Sequence, residues 1–469
     1  MKCRQLIPLL GPKLCLDKSL PSETQHYHIL PLMKLLRKSC LAAFVLGAIA
    51  VLFGVATDNI ALWRPAVVLA AIGLSIGLGA LQRVAGYQFT SWIFTCVVVG
   101  MCYPSAVLHW GDFDLRHPWL ILIAVQMVMF GMGTQMGLRD FAGVLKMPWG
   151  VVVAVLGQFT IMPLVGFGLT RVFDMPNEVA AGVILIGSCS SGLASNVMCY
   201  IARANLALSI TATSITTLIA PIVTPMWMMV LAGTLLDISF ANMMVEISKI
   251  VVVPIGAALL HDYLKFAGPR GRRLGYGLAI AGAAWLLFLF AFGGRDWQKT
   301  VFSGTTLLLL ELGAFLLGAC TAGVLYHRLT RLVPAVERIL PRFSMLGIMY
   351  FTIVTTAAGR DNLLKIGGVL FVVSVLHNGL GYLLGYWAGK AGGLDKASCR
   401  TIAIEVGLQN GGMAAGLAGA MGKLATVGLA STVFGAWMNI SGSALATYWS
   451  GRPAVPPRID ASRETGRAP

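Results

Sequence analysis

Glu405 lies in an apolar stretch, TIAIEVGLQNGGMAAGLAGAMG, from Thr401 to Gly422, that is long enough to cross a bilayer and holds no other ionisable side chain. A charge at membrane depth costs roughly 3 kcal/mol on insertion scales, so such residues are rare and mark ion or substrate pathways. Around it stand Gly407, Gln409, Asn410, Gly411 and Gly412, the composition of a helix interrupted to bind something polar. An earlier stretch, GSCSSGLASNVMCYIARANLALSI from Gly187 to Ile210, has the same character, with Ser188, Ser190, Ser191, Gly192, Ser195 and Asn196 in its middle. Small polar residues there release backbone carbonyls and offer hydroxyl and amide oxygens. Irregular backbone at membrane depth is tolerated only where it is buried in protein or lines a cavity. A carboxylate among such oxygens makes a hard, oxygen-only site that suits alkali and alkaline-earth cations. One carboxylate suits one or two monovalent ions better than a divalent one. A proton is the competing occupant, because burial favours the neutral acid.

The elements that must position these residues are membrane helices. Of the 469 residues, 57% are hydrophobic and only 12% charged, and the mean hydropathy is +0.79. A soluble domain carries about 25% charged residues. The 54 glycines fit close helix contacts in lipid. The chain reads as an all-α polytopic membrane protein with about fourteen apolar spans, each near 20 residues. Two cover 39–57 and 65–82. Ten form a core at 88–109, 118–138, 148–170, 179–202, 206–235, 242–262, 340–359, 364–389, 400–421 and 424–449. Two more, 275–293 and 304–326, lie between the sixth and seventh core spans. This divides the chain into an N-terminal extension (1–38), two extra helices (39–87), a first core part (88–263), an inserted pair (264–335), a second core part (336–449) and a disordered basic tail (450–469).

The net charge of +16 excludes little by itself. In a soluble chain it would suggest nucleic acid; here it follows from loop lysines and arginines, and no nucleic-acid partner is expected. With the N-terminus cytoplasmic, inside loops hold most of the basic residues and outside loops only a few, among them Arg64, Arg116, Arg171, Arg295, Lys299, Arg360, Lys365 and Lys423. That places a multi-pass protein in the cell (inner) membrane with its C-terminus cytoplasmic. The first 38 residues allow two readings. Met33-Lys34 followed by an apolar run looks like a signal-peptide start. Alternatively, an amphipathic extension precedes an ordinary helix, which is the preferred reading. The 9 cysteines show no CxxC spacing, so no disulfide framework or zinc site is indicated.

The two polar interruptions correspond: each is the fourth of five core spans in its half. Five is odd, so the halves insert with opposite orientation. Inverted repeats with paired interrupted helices near the midplane are a frequent plan of secondary transporters. The third and eighth spans correspond as well, GQFTIMPLVGFG (Gly157–Gly168) and LHNGLGYLLGYWAG (Leu376–Gly389), both with amides in apolar runs.

These motifs resemble the bile acid:sodium symporter family. ASNVMCYIARANLALSITATS (Ala194–Ser214) is similar to that family's fourth-to-fifth helix signature, and TIAIEVGLQNGGMAAGLA (Thr401–Ala418) to its ninth-helix signature. FGMGTQM (Phe130–Met136), QFTIMP (Gln158–Pro163), LHNGLGYLLG (Leu376–Gly385) and NISGSALATYW (Asn439–Trp449) support the match. The resemblance implies ten helices in a panel and a core domain, with two sodium ions behind the crossing of helices four and nine. The first sodium site would use Ser195, Asn196, Ser209, Thr213 and Glu405. The second would use Gln158, Glu405, Val406, Leu408 and Gln409, with Val406 and Leu408 acting through their carbonyls. Leu193, Ala194, Asn410, Met438 and Asn439 would face the substrate. The sequence departs from the family at Ser190-Ser191, where relatives often have Pro-Gly, at Leu193, where Thr is frequent, and at Met438, where His can stand. These departures are expected near the substrate cavity and outside the ion ligands.

The resulting expectation is a sodium-coupled symporter importing a small organic anion, bile-acid-like, a keto acid or pantothenate-related. Proton-coupled or uncoupled transport on the same site, and a non-transporting sensor or scaffold, are the alternatives. An enzyme is not expected: the chain has no HExxH and no GxGD motif. Elsewhere, Glu311 within an apolar run and His377 in the LHNG motif read as structural. Glu246 and Lys249 are spaced to pair on one helix face. His261-Asp262 reads as a solvated helix end.

Overall fold

A computed structural model of the chain describes residues 26–81, 84, 87–141, 143–291, 301–452 and 454. The expected extension before residue 26, the loop charges Arg83, Arg295 and Lys299, and the tail from 455 lie outside the described residues. The helices in chain order begin α1 (His26–Ala56), α2 (Ile60–Gly77), α3 (Gln88–Cys102), α4 (Pro104–Leu108), α5 (Pro118–Gly133), α6 (Leu138–Phe141), α7 (Gly143–Lys146) and α8 (Pro148–Val172). They continue α9 (Asn177–Ser188), α10 (Leu193–Ile201), α11 (Leu206–Ala232), α12 (Phe240–Phe266), α13 (Pro269–Ala291) and α14 (Gly304–Leu332). The last are α15 (Ala335–Ala358), α16 (Arg360–Ala391), α17 (Lys396–Gly407), α18 (Gly411–Ala420) and α19 (Val427–Ser450).

By length and composition, 8 of the described helices can each cross a membrane. The two polar spans are not among them, because each is split into halves of 12 and 9 residues (α9, α10) and of 12 and 10 residues (α17, α18). Two expected spans end early. The run from residue 88 stops at Tyr103 and restarts at Pro104, whose ring is favoured at the first position of a new helix. The run from residue 118 stops at Gly133, and the chain bends by 64° into α6 and α7. A two-stranded hairpin, β1 (His109–Trp110) and β2 (Phe113–Asp114), was not legible as a strand pattern. Its two-residue turn starts at Gly111 with φ 63°, as tight hairpin turns require.

The helices pack in two groups. One contains α3, α5, α12 and α15; the other contains α8 to α11 and α16 to α19. They meet where α18 lies against α5, α12 and α15, and where α11 passes α12. The pair α1–α2 rests on α3, and α13–α14 rests on α12. Between helices in lipid, packing replaces the hydrophobic effect as the main attraction, so small residues sit where backbones approach. Gly182 of α9 shows this: a Cβ there would stand 2.3 Å from the carbonyl oxygen of Val427 in α19. On the lipid side α1 leaves Leu46 and Leu52 67% and 73% exposed.

Arg400, one of the basic residues expected in the inside loops, is drawn into the protein instead. It is 2% exposed. Its guanidinium donates to the carbonyls of Arg452 (2.5 Å) and Trp449 (3.3 Å), tying α17 to the end of α19. The expectation that no GxSxG is present is wrong: Gly73–Gly77 reads GLSIG, but it sits inside α2, where the Ser75 hydroxyl bonds those of Ser91 (2.8 Å) and Thr95 (2.9 Å). That serine is a packing group between α2 and α3.

Candidate functional site: the crossing of two broken helices

Neither break contains a proline. The helices stop because their free backbone groups find partners in each other. Gly192 N donates to the Leu408 carbonyl (3.3 Å) and Asn410 N to the Ser190 carbonyl (2.8 Å). Ser191 and Gln409 face each other as an isolated antiparallel bridge. At membrane depth such groups must be satisfied within the protein, and here one break supplies the other. Gly192 is needed for the approach, since a Cβ there would stand 2.9 Å from the Gln409 carbonyl oxygen. The Asn410 side chain caps α18 by accepting from Met413 N (3.0 Å). The N-termini of α10 and α18 therefore open at the crossing, with their positive dipole ends directed there.

Glu405 is carried to this point by α17 and is 1% exposed. Ser191 donates to its Oε2 at 2.5 Å, Thr213 to the same oxygen at 2.8 Å, and Ser209 to Oε1 at 2.5 Å. Asn196 Oδ1 lies 2.8 Å from Ser209 Oγ and 3.4 Å from Thr213 Oγ1. The Ser195 hydroxyl donates to the Gly192 carbonyl (2.8 Å) and stands 3.3 Å from Thr213 Oγ1 and 3.4 Å from Ser191 Oγ. A hydroxyl has one proton. If Ser209 and Thr213 give theirs to the carboxylate, Asn196 Oδ1 receives neither. The cluster thus holds more oxygen lone pairs than protons, and among the described residues Glu405 has no ion pair. That donor set fits a bound cation, which would accept the surplus lone pairs and neutralise the carboxylate.

A second set gathers beside the break. Gln158 of α8 donates through Nε2 to the carbonyl of Cys189 (2.9 Å) and to Gln409 Oε1 (2.7 Å). Gln409 Nε2 donates to the Val406 carbonyl (2.7 Å). Gln158 Oε1 is buried with no partner, an orphan acceptor of the kind a cation would relieve. The Val406 and Leu408 carbonyls are each already engaged once, by Gln409 Nε2 and by Gly192 N. Each keeps a second lone pair. All nine residues of the two sets, Glu405 being shared, therefore lie on the two broken spans or on the helices flanking them, α8 and α11.

The five residues expected to face a substrate are more scattered. Leu193 and Ala194 are half-buried at the start of α10, and Asn410 and Met438 are buried. Asn410 Nδ2 points at the Met132 sulfur (3.6 Å). Asn439 is half-buried and donates to the Gly435 carbonyl in its own helix (2.7 Å). None of them lines the cavity of about 400 Å³ between α5, α12 and α18. Its walls are mainly apolar, with Trp119, Ile121, Val125 and Ile250, and the Glu246–Lys249 ion pair (2.5 Å) stands in one of them.

Ser191 is a correction. Its place in a family-variable pair suggested the substrate side, yet it makes one of the shortest contacts to Glu405. Only the pairing of two segments 214 residues apart reveals this. His377 braces the same region: its Nε2–H donates to the Met162 carbonyl (2.9 Å), and a Cβ on Gly187 would stand 3.0 Å from its ring. His261 is a second correction: it is 4% exposed, packed against α14. Glu311 is buried in α14.

A family model described as "Sodium Bile acid symporter family" matches residues 122–300. A Bacillus subtilis (strain 168) protein described as an uncharacterized sodium-dependent transporter, YocS, is 34% identical over 371 residues, 79% of this chain and 93% of that protein. A probable sodium/metabolite cotransporter of chloroplasts, BASS2 of Oryza sativa subsp. japonica, is 26% identical over 369 residues, 78% of this chain and 70% of the relative. The ileal sodium/bile acid cotransporter of Homo sapiens is 27% identical over 297 residues, 62% of this chain and 66% of the relative. With 93% of one relative's length covered at 34% identity, this multi-span membrane protein belongs to the sodium bile acid symporter family of sodium-dependent transporters.

Proposed function

We propose that the protein is a symporter that couples the entry of sodium to the import of a small organic anion. The observation that carries this reading is the Glu405 cage: a buried carboxylate among hydroxyl and amide oxygens with more lone pairs than protons. Sodium is cargo in this reading. One ion would sit among Ser195, Asn196, Ser209, Thr213 and Glu405, with Ser191 added. A second would use Glu405, Gln158 Oε1, the carbonyls of Val406 and Leu408, and Gln409. Residues 88–263 and 336–449 would form the transporter, with 39–87 and 264–335 as additions, and the C-terminus would be cytoplasmic.

The coupling follows from the crossing. Without cations, Glu405 draws the hydroxyl protons of both α11 and the first break toward itself. Cations would turn those hydroxyl lone pairs inward and fix the two breaks in one arrangement. Substrate would then meet ordered helix N-termini at Leu193 and Gly411, whose positive ends favour an anion. Movement of one helix group against the other would carry the site across the membrane. The names of the relatives support cotransport with sodium; bile acids and chloroplast metabolites are the cargoes that they print.

The test is uptake into proteoliposomes of labelled taurocholate, pyruvate and pantothenate, with an inward gradient of sodium or of choline at fixed pH. At least one anion should accumulate with sodium and not with choline. Accumulation that is equal in choline and follows an imposed proton gradient would replace sodium with a proton. Ligand binding without accumulation would turn the reading toward a sensor.

A further inference from the structure

Far from the crossing, the ends of α12 and α14 and the start of α15 enclose a second polar site. His261 of α12 and His327 of α14 are each 4% exposed, and their Nδ1 atoms lie 3.3 Å apart. One Nδ1 donates and the other accepts, so the contact uses a single proton. His261 Nε2 is buried without a partner. So is the hydroxyl of Tyr326, whose ring packs edge-on against His261 at 4.5 Å, and so is Arg272 Nε on α13. Native interiors rarely leave such groups unpaired, and of the three, His261 Nε2 belongs to a residue that lines a cavity.

The place has room for one. A cavity of about 210 Å³ is lined by His261, Lys265, His327, Thr330, Arg331 and Glu337. Lys265 pairs with Glu337, whereas Arg331 has no ion pair among the described residues. Arg272 and Arg328 add their charges beside His327. The cavity is therefore lined by Lys265, Arg331 and two imidazoles against the single carboxylate of Glu337, and is positive. Among the described residues no three His, Cys, Asp or Glu side chains come together as metal ligands.

We propose that this cavity binds the phosphate group of an anionic phospholipid. A phosphate offers several acceptor oxygens and one negative charge, which Arg331 and His261 Nε2, a donor when His261 accepts at Nδ1 from His327, match. The lipid origin follows from position: both histidines lie in the last two turns of membrane-length helices. Basic pockets between membrane helices are a recurrent way of holding anionic headgroups. The bound lipid would hold α13–α14 against α12.

The experiment compares phosphatidylglycerol, phosphatidylcholine and inorganic phosphate on the purified full chain, read by native mass spectrometry and thermal melting. Phosphatidylglycerol should be retained and raise the melting temperature, phosphatidylcholine should not, and inorganic phosphate should act only weakly. Arg331→Gln, at an exposed position, should weaken phosphatidylglycerol binding about tenfold. Arg338→Gln, an exposed charge outside the cavity, should leave it unchanged. Equal loss in both variants would mean diffuse surface attraction and overturn the site. Inorganic phosphate as effective as the lipid would overturn the lipid source. No retention of either leaves a water-filled cavity and ends the proposal.

Discussion

Glu405→Gln keeps the size and one acceptor oxygen of the side chain and removes its charge. Two unit charges 4 Å apart attract by about 4 kcal/mol at an effective dielectric of 20. A cation in direct contact with the carboxylate would lie closer, so this is a lower figure. Each 1.4 kcal/mol is a factor of ten, so sodium affinity should fall by about a thousandfold. The fold should not suffer in the same measure. The wild-type cage holds a desolvated charge without a counter-ion among the described residues, and the amide relieves that cost while still accepting from Ser209 or Ser191. Melting curves in detergent separate the two effects. In choline the variant should melt at or above the wild-type temperature. As sodium rises to a hundred times its dissociation constant, the wild type should gain about 2.7 kcal/mol and the variant nothing. An equal sodium-induced gain in both proteins would refute the reasoning, and so would collapse of the variant in choline.

Ser191→Ala removes a hydroxyl 2.5 Å from Glu405, a charge-assisted bond worth about 1.5–3 kcal/mol, and should raise the sodium concentration for half-maximal uptake about tenfold or more. Gly192→Val would place a Cβ 2.9 Å from the Gln409 carbonyl oxygen and force the breaks apart. Its uptake should be lost with α8 and α11 still inserted, as read by circular dichroism and trypsin resistance. Asp395→Ala deletes the cap of α17, which accepts from Ala397 N (2.8 Å) and Ser398 N (3.1 Å). It should lower stability by about 1 kcal/mol and leave the sodium-activation curve in place.

Much of this arrangement was legible in the residues. A charge in an apolar run located Glu405, and the crowd of Ser, Gly and Asn located the break that faces it. Both signals are local, because membrane depth penalises polar groups wherever they stand. What depended on pairing was not legible. Ser191 and Ser190 are adjacent and alike in sequence, yet the antiparallel bridge to Gln409 gives Glu405 to Ser191 and the Asn410 backbone to Ser190. His261 sits next to the half-buried Asp262 and reads as a solvated helix end until α14 covers it. The stop at Tyr103 and the bend after Gly133 also escape hydropathy, which registers apolar length and not where the backbone turns.

Equilibrium binding of radiosodium to the purified protein tests the central claim most directly. Saturable binding of two ions per chain to the wild type, lost in Glu405→Gln and weakened in Ser191→Ala, is the predicted result. Binding that does not saturate, or that is as strong in Glu405→Gln as in the wild type, would contradict it.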